Sequence, residues 1–197
     1  PVCLLLAPRD YLSTFLKIGT IVGLAIGVVI VSPELKMPAL TQFIDGSGPV
    51  WSGDLFPFLF VTIACGAISG FHSLIASGTT PKMIQNETDA RFIGYGAMLM
   101  ESFVAIMALV AAAALEPGIY FAMNSPGAII GTTAESAAQT ISQWGFYVTP
   151  EMINQTAQNV GEHSIISRTG GAPTLAVGMA QILSEVIGGT AMMAFWY

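Results

Sequence analysis

The sequence predicts an all-α polytopic membrane protein, a transmembrane helix bundle in which one helix is broken. Hydrophobic residues make up 53% of the chain and charged residues 9%, against roughly 25% charged in an ordinary soluble domain. Several apolar windows exceed the ~20 residues that a helix needs to cross about 30 Å of hydrocarbon. The third observation is the stretch from Leu55 to Lys82, an apolar run interrupted by Pro57, Gly66, Gly70 and His72 that closes on the polar string Ser77, Gly78, Thr79, Thr80, Pro81, Lys82. A helix that only anchors a protein has no use for central glycines and an imidazole, because glycine weakens a helix interior and a polar ring in hydrocarbon must find a partner. Interrupted membrane helices instead line protected cavities, which points to a carrier.

Charge and cysteine usage exclude other classes. Twelve acids against six bases give a net charge of -6 with no basic run, so nucleic acid is not a partner, since phosphate binding needs a basic face. Cys3 and Cys65 both lie in apolar sequence and read as small packing residues rather than a disulfide framework. The lipid bilayer is the expected surroundings.

Taken in order, 1–197 reads as one membrane domain. Residues 1–7 resemble the last turns of a preceding helix, and the chain is expected to be an internal piece of a longer protein whose remainder is its partner. The first full span covers 11–31, entered through Ser13 and Thr14 and stopped by Ser32 and Pro33, where proline supplies no amide donor. Lys17 snorkels to the headgroups. Gly19, Gly23 and Gly27 lie on one face, where a neighbouring backbone can approach. Residues 32–54 form an external loop, and the string Asp45 to Pro49, DGSGP, is turn chemistry rather than a protease signature. The interrupted span follows at 55–76, with Thr62, Cys65, Ser69, His72 and Ser73 inside an arc of roughly 100°.

A cytoplasmic loop, 77–91, carries Lys82 and Arg91. With Arg9 and Lys17 these place most bases on one side, so Arg9 and Lys82 face the cytoplasm by the positive-inside rule. The span 92–115 holds Glu101 near its middle, on a face of small residues from Gly94 to Ala112 that is expected to meet another helix. Residues 116–171 form an external loop with short helices at 134–144 and 150–160, the second capped by Thr149 with Pro150 at its first position. The last span, 173–197, carries Glu185 and ends on the aromatic belt Phe195, Trp196, Tyr197.

Acids inside a membrane are costly and point to function, and a histidine suits proton exchange near neutral pH. The candidates for substrate binding or ion coupling are Gly66, Ser69, Gly70, His72, Ser73, Thr79, Thr80, Glu101 and Glu185. No cofactor and no metal site is expected; the coupling ion is a proton or sodium. Neither HExxH nor G-x-S-x-G occurs, so no catalytic set is assigned and the protein is not expected to be an enzyme.

Five strings carry a family resemblance: LLLAPRDYLSTFLKIGTI (Leu4 to Ile21), ACGAISGFHSLIASGTTPKMI (Ala64 to Ile84), FIGYGAMLMESFVAIMALV (Phe92 to Val110), YFAMNSPGAI (Tyr120 to Ile129) and HSIISRTGGAPTLAVGMA (His163 to Ala180). The chain resembles the carbon starvation protein A family of bacterial inner-membrane proteins, whose members are much longer. The resemblance implies a multi-pass inner-membrane location, an inverted-repeat transporter fold, and uptake of peptides, or in some members pyruvate, when preferred carbon is exhausted. The expected function is a proton-coupled secondary active transporter; the alternative is a membrane starvation sensor that moves no solute.

Overall fold

The computed structural model describes residues 2–54, 56, 57, 60, 61, 63 and 73–197, without the side chains of 2–7, 10 and 79. Among these residues all regular structure is helical. The chain divides into two compact units, one formed by Pro1–Pro38 with Val104–Tyr197, the other by Ala39–Phe103.

The first unit is built on one long helix and the C-terminal part of a second. Helix α1, Val2–Val31, runs without interruption through Pro8, where the sequence suggested that one helix ends and another begins. Proline's fixed φ fits a helix, but beyond the first turn Pro8 both removes one backbone hydrogen bond and crowds the carbonyl four residues earlier. Tyr11–Val31 of this helix is long and apolar enough to cross a membrane. The second long helix, spanning Glu87–Ala114, passes the same test and enters this unit at Val104. The two helices end side by side: the N–H groups of Lys36 and Met37, just past α1, donate to the Ala113 carbonyl at 2.9 and 3.1 Å. An otherwise unpaired helix-end acceptor is thereby satisfied.

A helix over Gly171–Val186 packs against both. Leu24, Ala111, Ala114 and Ile182 form a buried cluster, with Val28, Met107, Leu175 and Met179 packed around it. At Gly27 an added Cβ would stand 3.3 Å from Ile182, whereas Gly19 and Gly23 face open space. Of the expected glycine stripe, therefore, only Gly27 receives a neighbour among the described residues. Gly178 is more tightly held, since the Ala111 carbonyl occupies the place of its missing side chain. These contacts, from Leu175 to Val186 on one helix, all fall in the last third of each long helix.

The single span expected over 173–197 is not one helix. It stops at Val186, Ile187 is extended, and Gly188 and Gly189 take φ of +92° and +63°, a region open to glycine and costly to other residues. A 3₁₀ turn, Thr190–Met192, and a last helical turn, Met193–Trp196, follow. Sixteen residues rise about 24 Å, short of the ~30 Å of hydrocarbon.

Short helices complete this unit: Pro117–Asn124, Gly127–Ile130, Ala134–Gln143 and Pro150–Asn159. The last two lie within a residue of the limits read from the sequence. Thr133 and Ser136 form a reciprocal capping box, and the Thr149 hydroxyl accepts from the Met152 N–H at 3.3 Å, each satisfying a free donor of a first turn. Ile141, Ile153, Ile165 and Met123 are buried between them. Phe121 stacks on Phe146 with ring centres 4.6 Å apart.

The second unit begins with an irregular stretch. Asp45 Oδ1 accepts from the Ser47 hydroxyl at 2.6 Å and from its N–H at 3.0 Å, and these hydrogen bonds hold this exposed carboxyl below its ordinary range. Gly46, at φ +88°, has the Gly53 backbone against it, so DGSGP is a turn, as its composition indicated. After Ser73 and Leu74 come a π-turn, Ile75–Thr79, and a short helix, Thr80–Met83. Three residues then lead into Glu87–Ala114, which starts five residues before the expected 92. Glu87 and Asp89 in its first turn account for the early start, because acids are favoured at a helix N-terminus.

Candidate functional site

The π-turn gives the second unit its groove. Its ring is closed by the Thr80 N–H donating to the Ile75 carbonyl, and the Ser77 hydroxyl donates to the Ser73 carbonyl at 2.7 Å. Such an extra-wide turn shifts the hydrogen-bond register and recurs at functional sites. Ile75, Ala76, Thr80 and Pro81 form one wall of a cavity of about 610 Å³, and Ala90, Gly94 and Ala97 of the long helix form the other. Positions 90, 94 and 97 lie on one helical stripe whose next member is Glu101. The groove thus joins two of the expected elements, the polar string around Thr80 and the small-residue face that leads to Glu101. Among the described residues Glu101 itself is exposed, and added Cβ atoms at Gly94 and Gly96 meet no described atom within 4 Å. Ser73 is exposed and Thr79 lies in the π-turn. Gly66, Ser69, Gly70 and His72 lie outside the described residues.

Glu185 lies elsewhere, in a cleft of about 340 Å³ within the first unit. Gln181, Ser184 and Glu185 line it from one helix, and Met152, Gln155, Thr156 and Asn159 from another. Leu115 and Ile119 supply apolar wall, and Glu116 stands at its edge, paired to Lys36 Nζ at 2.7 Å. Gln181 and Glu185, four residues apart, share one helical face, but the opposite wall was not anticipated from the sequence. The spacing 152, 155, 156, 159 was nonetheless readable as one helical stripe.

Below the cleft lies a buried polar knot. Asn124 Nδ2 donates to Thr174 Oγ1 at 2.8 Å and to the Tyr120 carbonyl at 3.0 Å. The Ser167 hydroxyl donates to the Ser125 carbonyl at 2.7 Å, and the Ser167 N–H to the Ala122 carbonyl at 3.0 Å. Two of the motifs quoted above, 120–129 and 163–180, are therefore tied to each other. Burial pushes the Tyr120 hydroxyl pKa up from 10.0. Among the described residues no group of His, Cys, Asp and Glu is arranged to hold a metal ion.

A family model described as carbon starvation protein CstA matches residues 1–197. The chain belongs to this family. Over the whole chain it is 69% identical to a peptide transporter CstA of Escherichia coli and 62% identical to a pyruvate/proton symporter BtsT of the same organism. A peptide transporter CstA of Campylobacter jejuni is 64% identical. The chain spans 29%, 30% and 28% of these relatives' lengths. No solved structure matches it. The helical structure, its two membrane-length helices and the transporter names of these relatives fit a membrane protein.

Proposed function

We propose that this chain is the part of a secondary active transporter that imports peptides, or pyruvate, across the bacterial inner membrane during carbon starvation, coupled to protons. The observation that carries the reading is the identity, above 60% across every residue of this chain, to relatives named as a peptide transporter and a pyruvate/proton symporter. The groove beside the π-turn supports it, because helical backbone with shifted hydrogen bonds beside a cavity is what a carrier uses to hold solute.

In this reading the stretch Gly66 to Thr80 holds the substrate on a broken helix, within an inverted-repeat fold, and Glu101 carries the coupling proton. A charged carboxylate in hydrocarbon is costly and its neutral form is not, so protonation decides which carrier states Glu101 can occupy. One proton moved down 100 mV releases about 2.3 kcal/mol, enough for roughly fifty-fold accumulation of substrate. Arg9 and Lys82 face the cytoplasm.

The test is uptake of labelled dialanine and labelled pyruvate, offered in turn, into proteoliposomes holding the full-length protein, with and without an inward proton gradient. Gradient-dependent uptake of either solute is the expected result. No uptake of either from folded protein would overturn the carrier and leave a starvation sensor in its place.

A further inference from the structure

The cleft of the first unit has a chemistry of its own. Glu185 forms no hydrogen bond or ion pair among the described residues, while the other carboxylate at the cleft, Glu116, is already offset by Lys36. No basic side chain lines it. Gln155, Asn159 and Gln181 each offer an amide that both donates and accepts, and Leu115, Ile119, Met152 and Met193 supply apolar surface. A volume of about 340 Å³ falls at the small end of the roughly 300–1,000 Å³ typical of small-molecule sites.

We propose that this cleft binds the amino-terminal end of a short peptide, with the α-ammonium on the Glu185 carboxylate, the peptide amides on Gln155, Asn159 and Gln181, and the first side chain on the apolar wall. Each requirement excludes an alternative. An uncompensated carboxylate calls for a cation, which disfavours a small monoanion such as pyruvate. Three side-chain amides can both donate to and accept from a peptide group, whereas a bare inorganic cation would use their oxygens alone and leave the N–H donors idle. The apolar residues would gain nothing from sodium. The choice of ligand rests on the transporter reading, although binding at the cleft is measured independently of transport.

The experiment is calorimetric titration of the full-length protein in detergent with dialanine, N-acetyl-dialanine and sodium pyruvate. Acetylation removes the ammonium charge, keeps the peptide bond and puts a second, neutral amide where the ammonium stood. The expected result is that dialanine binds at least about tenfold more tightly than its acetylated form, the scale of a charge-assisted hydrogen bond. Glu185→Gln should erase that difference while leaving acetyl-dialanine unchanged. Gln155→Ala should weaken both peptides by about three- to tenfold through a lost neutral hydrogen bond, and Glu151→Gln, exposed and outside the cleft, should change neither. Equal affinity for the two peptides, unchanged dialanine affinity in Glu185→Gln, or no binding of dialanine to wild type would each overturn the proposal, as would loss of pyruvate binding in Glu185→Gln. Uptake assays on the same preparation separate the two readings: uptake with no effect of Glu185→Gln on binding removes the subsite alone, and Glu185-dependent binding without uptake removes the carrier alone.

Discussion

The helix Glu87–Ala114 passes from one unit into the other, and its two halves are built differently. In the second unit, Phe92, Tyr95 and Leu99 are 82%, 59% and 63% exposed, and no apolar residue described there is among the buried core of the chain. The helix ends on four alanines, of which Ala111 and Ala114 are buried with Leu24 and Ile182. The same apolar composition therefore has two fates. Phe92, Tyr95 and Leu99 leave a surface for lipid or for other parts of the protein, while the closing alanines admit Gly178 and the chain at Lys36 to within backbone contact. Mutations in the buried core of the first unit should accordingly be felt as stability, and those on the exposed helix face of the second should be felt much less.

Core truncation gives the largest contrast. Ile182→Ala, at a residue 2% exposed, should cost about 2–5 kcal/mol, read as a drop in the thermal midpoint of the full-length protein, whereas Leu99→Ala should cost under about 1 kcal/mol. A comparable loss at Leu99 would sharpen the comparison by showing that another segment covers it. Glycine replacement comes next. Gly178→Ala drives a methyl into the Ala111 carbonyl and should destabilise by about 1–3 kcal/mol, while Gly94→Ala, with open space around it, should be neutral or stabilise by up to about 1 kcal/mol. Equal effects would break the distinction.

Asn124→Ala removes two hydrogen bonds of the buried knot, to Thr174 and to the Tyr120 carbonyl, and should cost about 1–3 kcal/mol, whereas Lys36→Ala removes a half-exposed ion pair worth at most about 1 kcal/mol, less at high salt. The smallest effects are on pH. The Tyr120 pKa is raised in the folded state, so its contribution is present below pH 10.0 and is lost as pH rises through the higher folded value. Alkaline unfolding should therefore begin at higher pH in Tyr120→Phe. Asp45 has the opposite sign: its lowered pKa favours the folded turn above the ordinary carboxylate range, and the benefit disappears on acidification. The Ser47 amide resonance should report it, and Ser47→Ala should remove the shift.

Much of this was legible in the sequence. The two membrane-length helices, the capped helices after Thr133 and Thr149, and the turn at Asp45 follow from local signals: apolar run length, a hydroxyl before the first turn, glycine where φ is positive. What was not legible depended on tertiary packing. Gly188 and Gly189 look like another small-residue step in an apolar helix until their positive φ shows that they end it. Pro8 looks like a stop, yet its lost hydrogen bond is tolerated. The cleft around Glu185 needs Gln155 and Asn159 from a segment whose polarity alone marks it as a loop, and only the fold brings that stripe to face Gln181.

Under the two proposals above, Glu101 serves proton coupling and Glu185 the recognition of a peptide's amino terminus. The most direct test is initial-rate uptake of dialanine by proteoliposomes holding full-length wild type, Glu101→Gln or Glu185→Gln, measured with and without a proton gradient, beside the calorimetric affinity of each for dialanine. Glu101→Gln should abolish the stimulation by the gradient with little change in affinity, and Glu185→Gln should lower the affinity at least about tenfold while the stimulation survives. Loss of the same parameter in both variants would overturn both assignments.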